Sequence, residues 1–304
     1  MSKIIRIGTR DSELALWQAQ TVKQRLEKLG YATRLVPIKS EGDLVLDVPL
    51  YEMGIIGVFT KSLDIAMLQG TIDIAVHSMK DVPTALPKGI VQQAVLERAD
   101  VTDIVVYKEH TDFEQTEAII ATGSLRRKAQ WLHRYPHHRI ENLRGNVNTR
   151  LQKLHDNNWH GAIFAAAGLE RISKKPQHHI TLDWMISAPA QGAMVVVAME
   201  NNPYTCGAVQ QLNHRPTELC TTVERQFLRT LEGGCTAPIG AYAYIQGGKL
   251  VFKGGLFSLD GTKKIVIEKE APLEMIANFG ESCAVEILKN GGKAILEEVK
   301  KSIS

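Results

Sequence analysis

Three stretches hold residue types that could do chemistry. Arg229-Thr-Leu-Glu-Gly-Gly-Cys-Thr-Ala-Pro-Ile-Gly240 sets Cys235 behind two glycines and ahead of Pro238. Glycine pairs permit positive φ and close backbone approach, and proline ends a helix, so Cys235 is expected on a tight loop. A thiol presented this way is either a small buried loop residue or a group available for covalent chemistry. His77-Ser-Met-Lys-Asp-Val-Pro83 directly follows an apolar run. Polar residues at strand ends of an open α/β sheet line the ligand crevice. Lys80 beside Asp81 would hold the acid ionised, ready to stabilise a developing cation or exchange a proton with a leaving amine. A surface ion pair is the plainer alternative, and His77 alone reads more simply as a structural histidine with its hydrogen bonds met than as a ligand.

The third stretch is a charge excess. Between residues 121 and 171, Arg126, Arg127, Lys128, Arg134, Arg139, Arg144, Arg150, Lys153 and Arg171 face only Glu141, Asp156 and Glu170, while the whole chain carries +3. Seven of these nine cations are arginine, whose planar fork suits carboxylate or phosphate. Arg126 and Arg127 fall in the first turn of an expected helix, where a cation opposes the helix dipole. An anionic ligand would repair that placement; a solvated basic face is the alternative.

Other chemistries find little support in the sequence. The chain has no G-x-S-x-G, no P-loop and no G-x-G-x-x-G. Its histidines (133, 137, 138, 178, 179) lack cysteine or carboxylate companions at metal-ligand spacing, so no metal is expected. The four cysteines, at 206, 220, 235 and 283, form no CxxC pair and are too sparse for a disulfide framework. Nucleic acid is not the expected partner, because the arginine-rich region has few aromatics for base stacking. No segment approaches the ~20 apolar residues of a membrane span. Residues 1–8 read as a first strand rather than a signal peptide, which together with the cysteines implies a cytoplasmic protein.

The elements that must position these groups follow from periodicity. Ile4–Gly8 reads as a strand, followed by Thr9-Arg-Asp-Ser12 and a helix through Leu14, Trp17, Val22, Leu26 and Leu29. A strand over 34–39, a helix marked by Phe59, Leu63, Ala66 and Met67, and strands at 72–77 and 90–96 complete one α/β alternation. A second alternation follows, with strands at 104–107, 118–121, 161–165 and 194–199, and Thr122-Gly-Ser124 leading into a helix through Leu125, Ala129 and Leu132. Each half thus sets a polar turn before a helix N-terminus, a ready anion site. Beyond residue 215 come a helix over 218–231, strands at 239–245, 249–258 and 263–270 joined by Gly247-Gly248 and Asp260-Gly261, and helices at 273–289 and 293–302. The expected architecture is two similar doubly wound α/β domains around a cleft, with a small α+β C-terminal domain holding a three-stranded antiparallel sheet. The boundaries are 1–97 plus 193–212, then 98–192, then 213–304.

Together, several segments resemble the porphobilinogen deaminase (hydroxymethylbilane synthase) family. They are Ile7-Gly-Thr-Arg-Asp-Ser12 with Leu14-Ala-Leu-Trp-Gln18, His77-Ser-Met-Lys-Asp-Val-Pro83, Gly123-Ser-Leu-Arg-Arg127, Leu143-Arg-Gly-Asn-Val-Asn-Thr-Arg-Leu151, Ala167-Gly-Leu-Glu-Arg171, Gln191-Gly-Ala193 and Leu231-Glu-Gly-Gly-Cys-Thr-Ala-Pro238. They run in family order from residue 7 to 238. The resemblance implies periplasmic-binding-protein-like domains and a transferase of tetrapyrrole biosynthesis. Such an enzyme joins four porphobilinogen molecules head to tail, releasing ammonia each time and finally hydroxymethylbilane. It also implies a covalent dipyrromethane cofactor held by a thioether to Cys235. Lys80, Asp81, Thr122, Ser124, Arg126, Arg127 and Arg150 would bind cofactor; Arg10, Ser12, Phe59, Lys61, Arg144, Arg150, Arg171 and Gln191 would bind substrate. Asp81 would be the catalytic group, facing pyrrole N–H groups and offsetting the positive charge left when the amine departs. A monomer is expected.

The chain departs from the family pattern at four positions. Ile56 stands where a lysine is usual and Ser62 where a glutamate is usual, within Gly54-Ile-Ile-Gly-Val-Phe-Thr-Lys-Ser62. Ala190 replaces a glycine, and Gly123 often appears as serine. Without the resemblance, the duplicated α/β halves alone would also suit a non-catalytic anion-binding protein.

Overall fold

The computed structural model describes residues 3–39, 59–109, 112–114, 117–231 and 237–303. Cys235, Ile56, Gly54 and Gly57 lie outside them. The chain divides into two compact units, residues 1–45, 55–99 and 192–219, and residues 46–54, 100–191 and 220–304.

In the first unit, β1 (Ile5–Thr9), α1 (Glu13–Lys28), β2 (Thr33–Pro37), α2 (Lys61–Leu68), β3 (Ile74–Ser78) and β4 (Ile90–Val95) follow in order. Later in the chain, β10 (Met194–Met199) and α6 (Pro203–Gln210) join them. The sheet order is β2-β1-β3-β10-β4. β1 runs parallel to β2 and β3, while β10 runs antiparallel to both its neighbours. Alternate residues Ile5 and Ile7 of β1 meet Ala19, Val22 and Leu26 of α1, a helical stripe at three- and four-residue spacing. β10 reads Met-Val-Val-Val-Ala-Met and is buried on both faces, as a central strand must be.

The second unit repeats the plan with β5 (Asp103–Tyr107), β6 (Ile119–Ala121), α3 (Leu125–Arg134), β7 (Arg139–Glu141), α4 (Val147–Asp156), β8 (Gly161–Ala165), α5 (Ala166–Arg171) and β9 (His179–Thr181). Its order is β7-β6-β8-β5-β9. β6 is parallel to β7 and β8, and β5 is the reversed strand. Both sheets therefore place their first parallel strand second in order and one reversed strand fourth, which bears out the duplicated doubly wound reading. The sequence pattern did not anticipate β7, β9, α4, α5 or α6. Three-residue strands are too short to show a period, and α4 buries only Leu154 fully.

After α7 (Arg215–Thr230), the strands β11 (Ile239–Gln246), β12 (Lys249–Phe257) and β13 (Lys264–Pro272) form the expected antiparallel meander. α8 (Phe279–Ile287) and α9 (Lys293–Ile303) close the chain. The helix expected over 273–289 is shorter than that. Pro272 is extended, residues 273–275 make a single 3-10 turn, and α8 begins only after Asn278. Within the second unit, Phe257 of β12 packs with Ala129 of α3 and with Ile186.

Candidate active site

In the first unit, the adjacent parallel strands β1 and β3 deliver their following loops to one edge of the sheet. Arg10, half-buried after β1, holds its guanidinium 4.5 Å from the ring centre of Phe59. Ser12 occupies the N-cap of α1, yet its hydroxyl makes no capping bond, so the first turn keeps donors uncapped by it. After β3 comes a 3-10 turn, Met79–Asp81, whose first N–H donates to the Ala193 carbonyl at 3.0 Å. Lys80 and Asp81 are both half-buried there. Gln18 of α1 is buried and donates its amide to Ser78 Oγ at 2.8 Å, which ties α1 to the end of β3. Lys61, the first residue of α2, is exposed.

His77 differs from the structural histidine the sequence suggested. It is 6% exposed, and its Nε2 has no hydrogen-bond partner. Burial, with a lesser contribution from the Arg10 cation, pushes its pKa down to about 4. The ring is therefore neutral at pH 7.

In the second unit, the loops after β6, β7 and β8 share the corresponding edge. Thr122 is buried, and its Oγ1 accepts from the Ser124 N–H at 3.2 Å. Ser124 caps α3, its Oγ accepting from the Arg127 N–H at 3.4 Å. Gly123 lies so close to the next loop that a Cβ there would sit 2.5 Å from the Leu143 carbonyl oxygen. That approach brings Arg144, which follows Leu143 directly, beside the start of α3. Arg144 is buried, and burial lowers its pKa. Arg150 of α4 donates Nε to the Gly145 carbonyl at 2.8 Å. At the end of α5, burial pushes Arg171 down to about 10, against the opposing pull of Glu170, which leaves it charged at pH 7.

Arg126 and Arg127 are neither solvated nor directed only outward. Both are 5% exposed and converge on Asp103, which is fully buried. Arg126 Nη1 is 2.7 Å from Asp103 Oδ2, and Arg127 Nη2 is 2.7 Å from Oδ1. Gln191 is also fully buried and donates to Asp103 Oδ1 at 3.0 Å and to the Val101 carbonyl at 2.8 Å. Two guanidiniums against one carboxylate leave a surplus positive charge, and Arg126 Nε has no hydrogen-bond partner. Sequence reading missed Asp103. It opens a strand with no neighbouring motif, and no local signal links it to residues 23 and 24 positions away.

The remaining cysteines are poor nucleophiles. Burial raises the Cys206 thiol, and pushes Cys283 up to about 11, while Cys220 is buried. Among the described residues, no cluster of three or more histidine, cysteine or carboxylate groups could hold a metal ion, and no helix is long and apolar enough to cross a membrane.

Comparison with known proteins places these features in one family. Residues 5–206 match the family model described as porphobilinogen deaminase, dipyrromethane cofactor binding domain. Residues 218–289 match porphobilinogen deaminase, C-terminal domain. A porphobilinogen deaminase of Pelobacter propionicus is 41% identical over 300 residues, covering 97% of each chain. One from Desulforamulus reducens is 40% identical over 306 residues, covering 99% of each. Among solved structures, a probable amino-acid ABC transporter extracellular-binding protein of Bacillus subtilis aligns over 70% of this chain and 90% of its own, at 12% identity and a TM-score of 0.42.

Proposed function

Since the chain belongs to the porphobilinogen deaminase family, we propose that it condenses four porphobilinogen molecules head to tail on a covalently held dipyrromethane and finally releases hydroxymethylbilane. In each condensation one C–C bond replaces the C–N bond of an aminomethyl group. Ammonia and one ring proton leave, which makes the enzyme a transferase. When bound, the dipyrromethane supplies the free pyrrole carbon at which the chain grows.

The observation that carries this reading is the concentration of arginine at one sheet edge of the second unit. Every substrate ring bears an acetate and a propionate, so the growing chain accumulates carboxylates. Arg126, Arg144, Arg150 and Arg171 supply matching fork-shaped donors, with Arg127 behind them on Asp103. An anionic group fits the surplus charge around Asp103 and the unpartnered Arg126 Nε. Thr122 and Ser124 at the α3 N-terminus, with Lys80, complete the cofactor-binding set. Arg10, Ser12, Phe59, Lys61 and Gln191 join Arg144, Arg150 and Arg171 on the substrate side, although Gln191 and Arg127 would act from behind, through Asp103.

Asp81 carries the catalytic role in this reading. Its carboxylate stabilises the positive charge that develops as ammonia departs. Neutral His77 adds no competing positive charge to that edge. Cys235 forms the thioether. The three-domain boundaries 1–97 with 193–212, 98–192 and 213–304 are supported by three separate sheets. A cytoplasmic monomer completes the reading.

The test is intact mass under denaturing conditions, before and after incubation with porphobilinogen. The parent should carry an adduct of two pyrrole units and turn over substrate, while Cys235→Ser should fold, carry none and be inactive. A bare parent that takes up nothing from porphobilinogen sinks the proposal. A loaded, active serine variant removes the thioether assignment alone.

A further inference from the structure

We propose that Asp103 is the positioning residue of the arginine wall: it locks Arg127 internally and holds Arg126 as the arm that receives a ligand carboxylate. This rests on the function proposed above. Consecutive helix residues splay apart and do not face each other, so Arg126 and Arg127 can converge only on a group placed between them. Asp103 is that group. It opens β5, its main chain pairs with Ala165 of β8, and its carbonyl accepts from the Leu182 N–H at 2.9 Å. The anchor is thus fixed from both sides in the middle of the sheet.

The two arginines are held differently. Arg127 commits all three side-chain nitrogens inside the protein. Nε donates to Asp103 Oδ1 at 2.9 Å, Nη2 lies 2.7 Å from the same oxygen, and Nη1 donates to the Ile163 carbonyl at 3.0 Å. Arg126 spends only Nη1, shared between Asp103 Oδ2 at 2.7 Å and the Ile186 carbonyl at 2.8 Å, and its Nε is buried without a partner. A buried donor left unmade is costly, and the cluster carries one positive charge more than it neutralises. One carboxylate satisfies both. Gln191 fills the remaining side of Oδ1 and keeps Asp103 from turning away.

The experiment compares full-length parent, Asp103→Asn and Asp103→Glu. Citrate, a polycarboxylate probe, is titrated calorimetrically into adduct-free protein, and KM and kcat for porphobilinogen are measured at matched adduct loading. Urea unfolding is followed alongside. Asp103→Asn should weaken citrate binding at least ~5-fold and raise KM at least ~10-fold, with kcat within ~3-fold of the parent. Asp103→Glu keeps the charge but displaces it by a methylene, and should raise KM by an intermediate factor. A lower urea midpoint with unchanged KM and citrate affinity assigns Asp103 to folding alone and overturns the proposal; so does a parent that binds no citrate. If Asp103→Asn does not fold, an unchanged KM in Asp103→Glu overturns it. A parent inactive toward porphobilinogen is a failure of the proposed function, and citrate then decides the role of Asp103 by itself.

Discussion

Ala190 holds its backbone in the left-handed region, at φ +62°, and donates its N–H to the fully buried carboxylate of Glu224, 2.6 Å from Oε2. The other oxygen of Glu224 accepts from the Ala243 N–H at 2.7 Å. One carboxylate on α7 therefore grips both the segment leading into Gln191 and the first strand of the three-stranded sheet. Ala190 stands where the family pattern has glycine, and the positive φ explains that usage: a Cβ is disfavoured there and its absence is not.

Glu224→Gln should destabilise the protein by about 2 kcal/mol, because an amide cannot accept through both ends and would turn a donor toward a buried N–H. Ala190→Gly should leave the midpoint unchanged or raised. Relief of ~1–2 kcal/mol of left-handed strain meets or exceeds the ~0.4–1 kcal/mol of added unfolded-chain entropy. Urea unfolding of both variants checks the pair, and a Glu224→Gln midpoint equal to the parent's would show that the grip is not stabilising.

His77 should make stability depend on pH. Its folded pKa of about 4 lies below its ordinary value of 6.5, so the unfolded chain binds the extra proton between those limits. The contribution is full above pH 6.5 and is lost as pH falls toward 4, a change on the order of 3 kcal/mol. His77→Gln should show a shallower loss than the parent between pH 7 and pH 4.5. Equal slopes would mean that the ring is not held neutral by the fold.

For Asp81→Asn, turnover of porphobilinogen should fall at least ~10²-fold while adduct attachment persists, as for loss of a charge-stabilising group. Intact mass and steady-state rates on one preparation separate the two effects. Near-normal turnover would remove Asp81 from the mechanism.

Ile56 lies outside the described residues, and its expectation rests on chemistry alone. A charge-assisted bond to a substrate carboxylate is typically worth ~1.5–3 kcal/mol, reduced toward ~0–1 when exposed. In the proposed reading, the arginines of the second unit and Arg10 and Lys61 of the first remain to bind substrate carboxylates. Ile56→Lys should therefore change apparent substrate affinity less than ~10-fold. An inactive parent rescued by that lysine would show the opposite.

Much of this protein was legible along the chain because the signals are local. Apolar periodicity marked β1, α1, β8 and β10 close to their observed bounds. Gly247-Gly248 and Asp260-Gly261 marked the hairpins of the meander, with all three glycines at positive φ. The motif residues Arg10, Lys80, Asp81, Ser124 and Arg144 could be named as candidates without coordinates. Tertiary structure decided what those residues touch. Arg126 and Arg127 read as ligand-facing or solvated, yet they meet at Asp103, because strand order sets β5 beside β8 and turns its first residue toward α3. Glu224 on α7 reaches Ala190 across 34 residues, a pairing that only the folded chain makes. Sequence spacing encodes neighbours within a turn or a pleat, whereas a buried carboxylate finds its partners through sheet topology, and no local pattern records that.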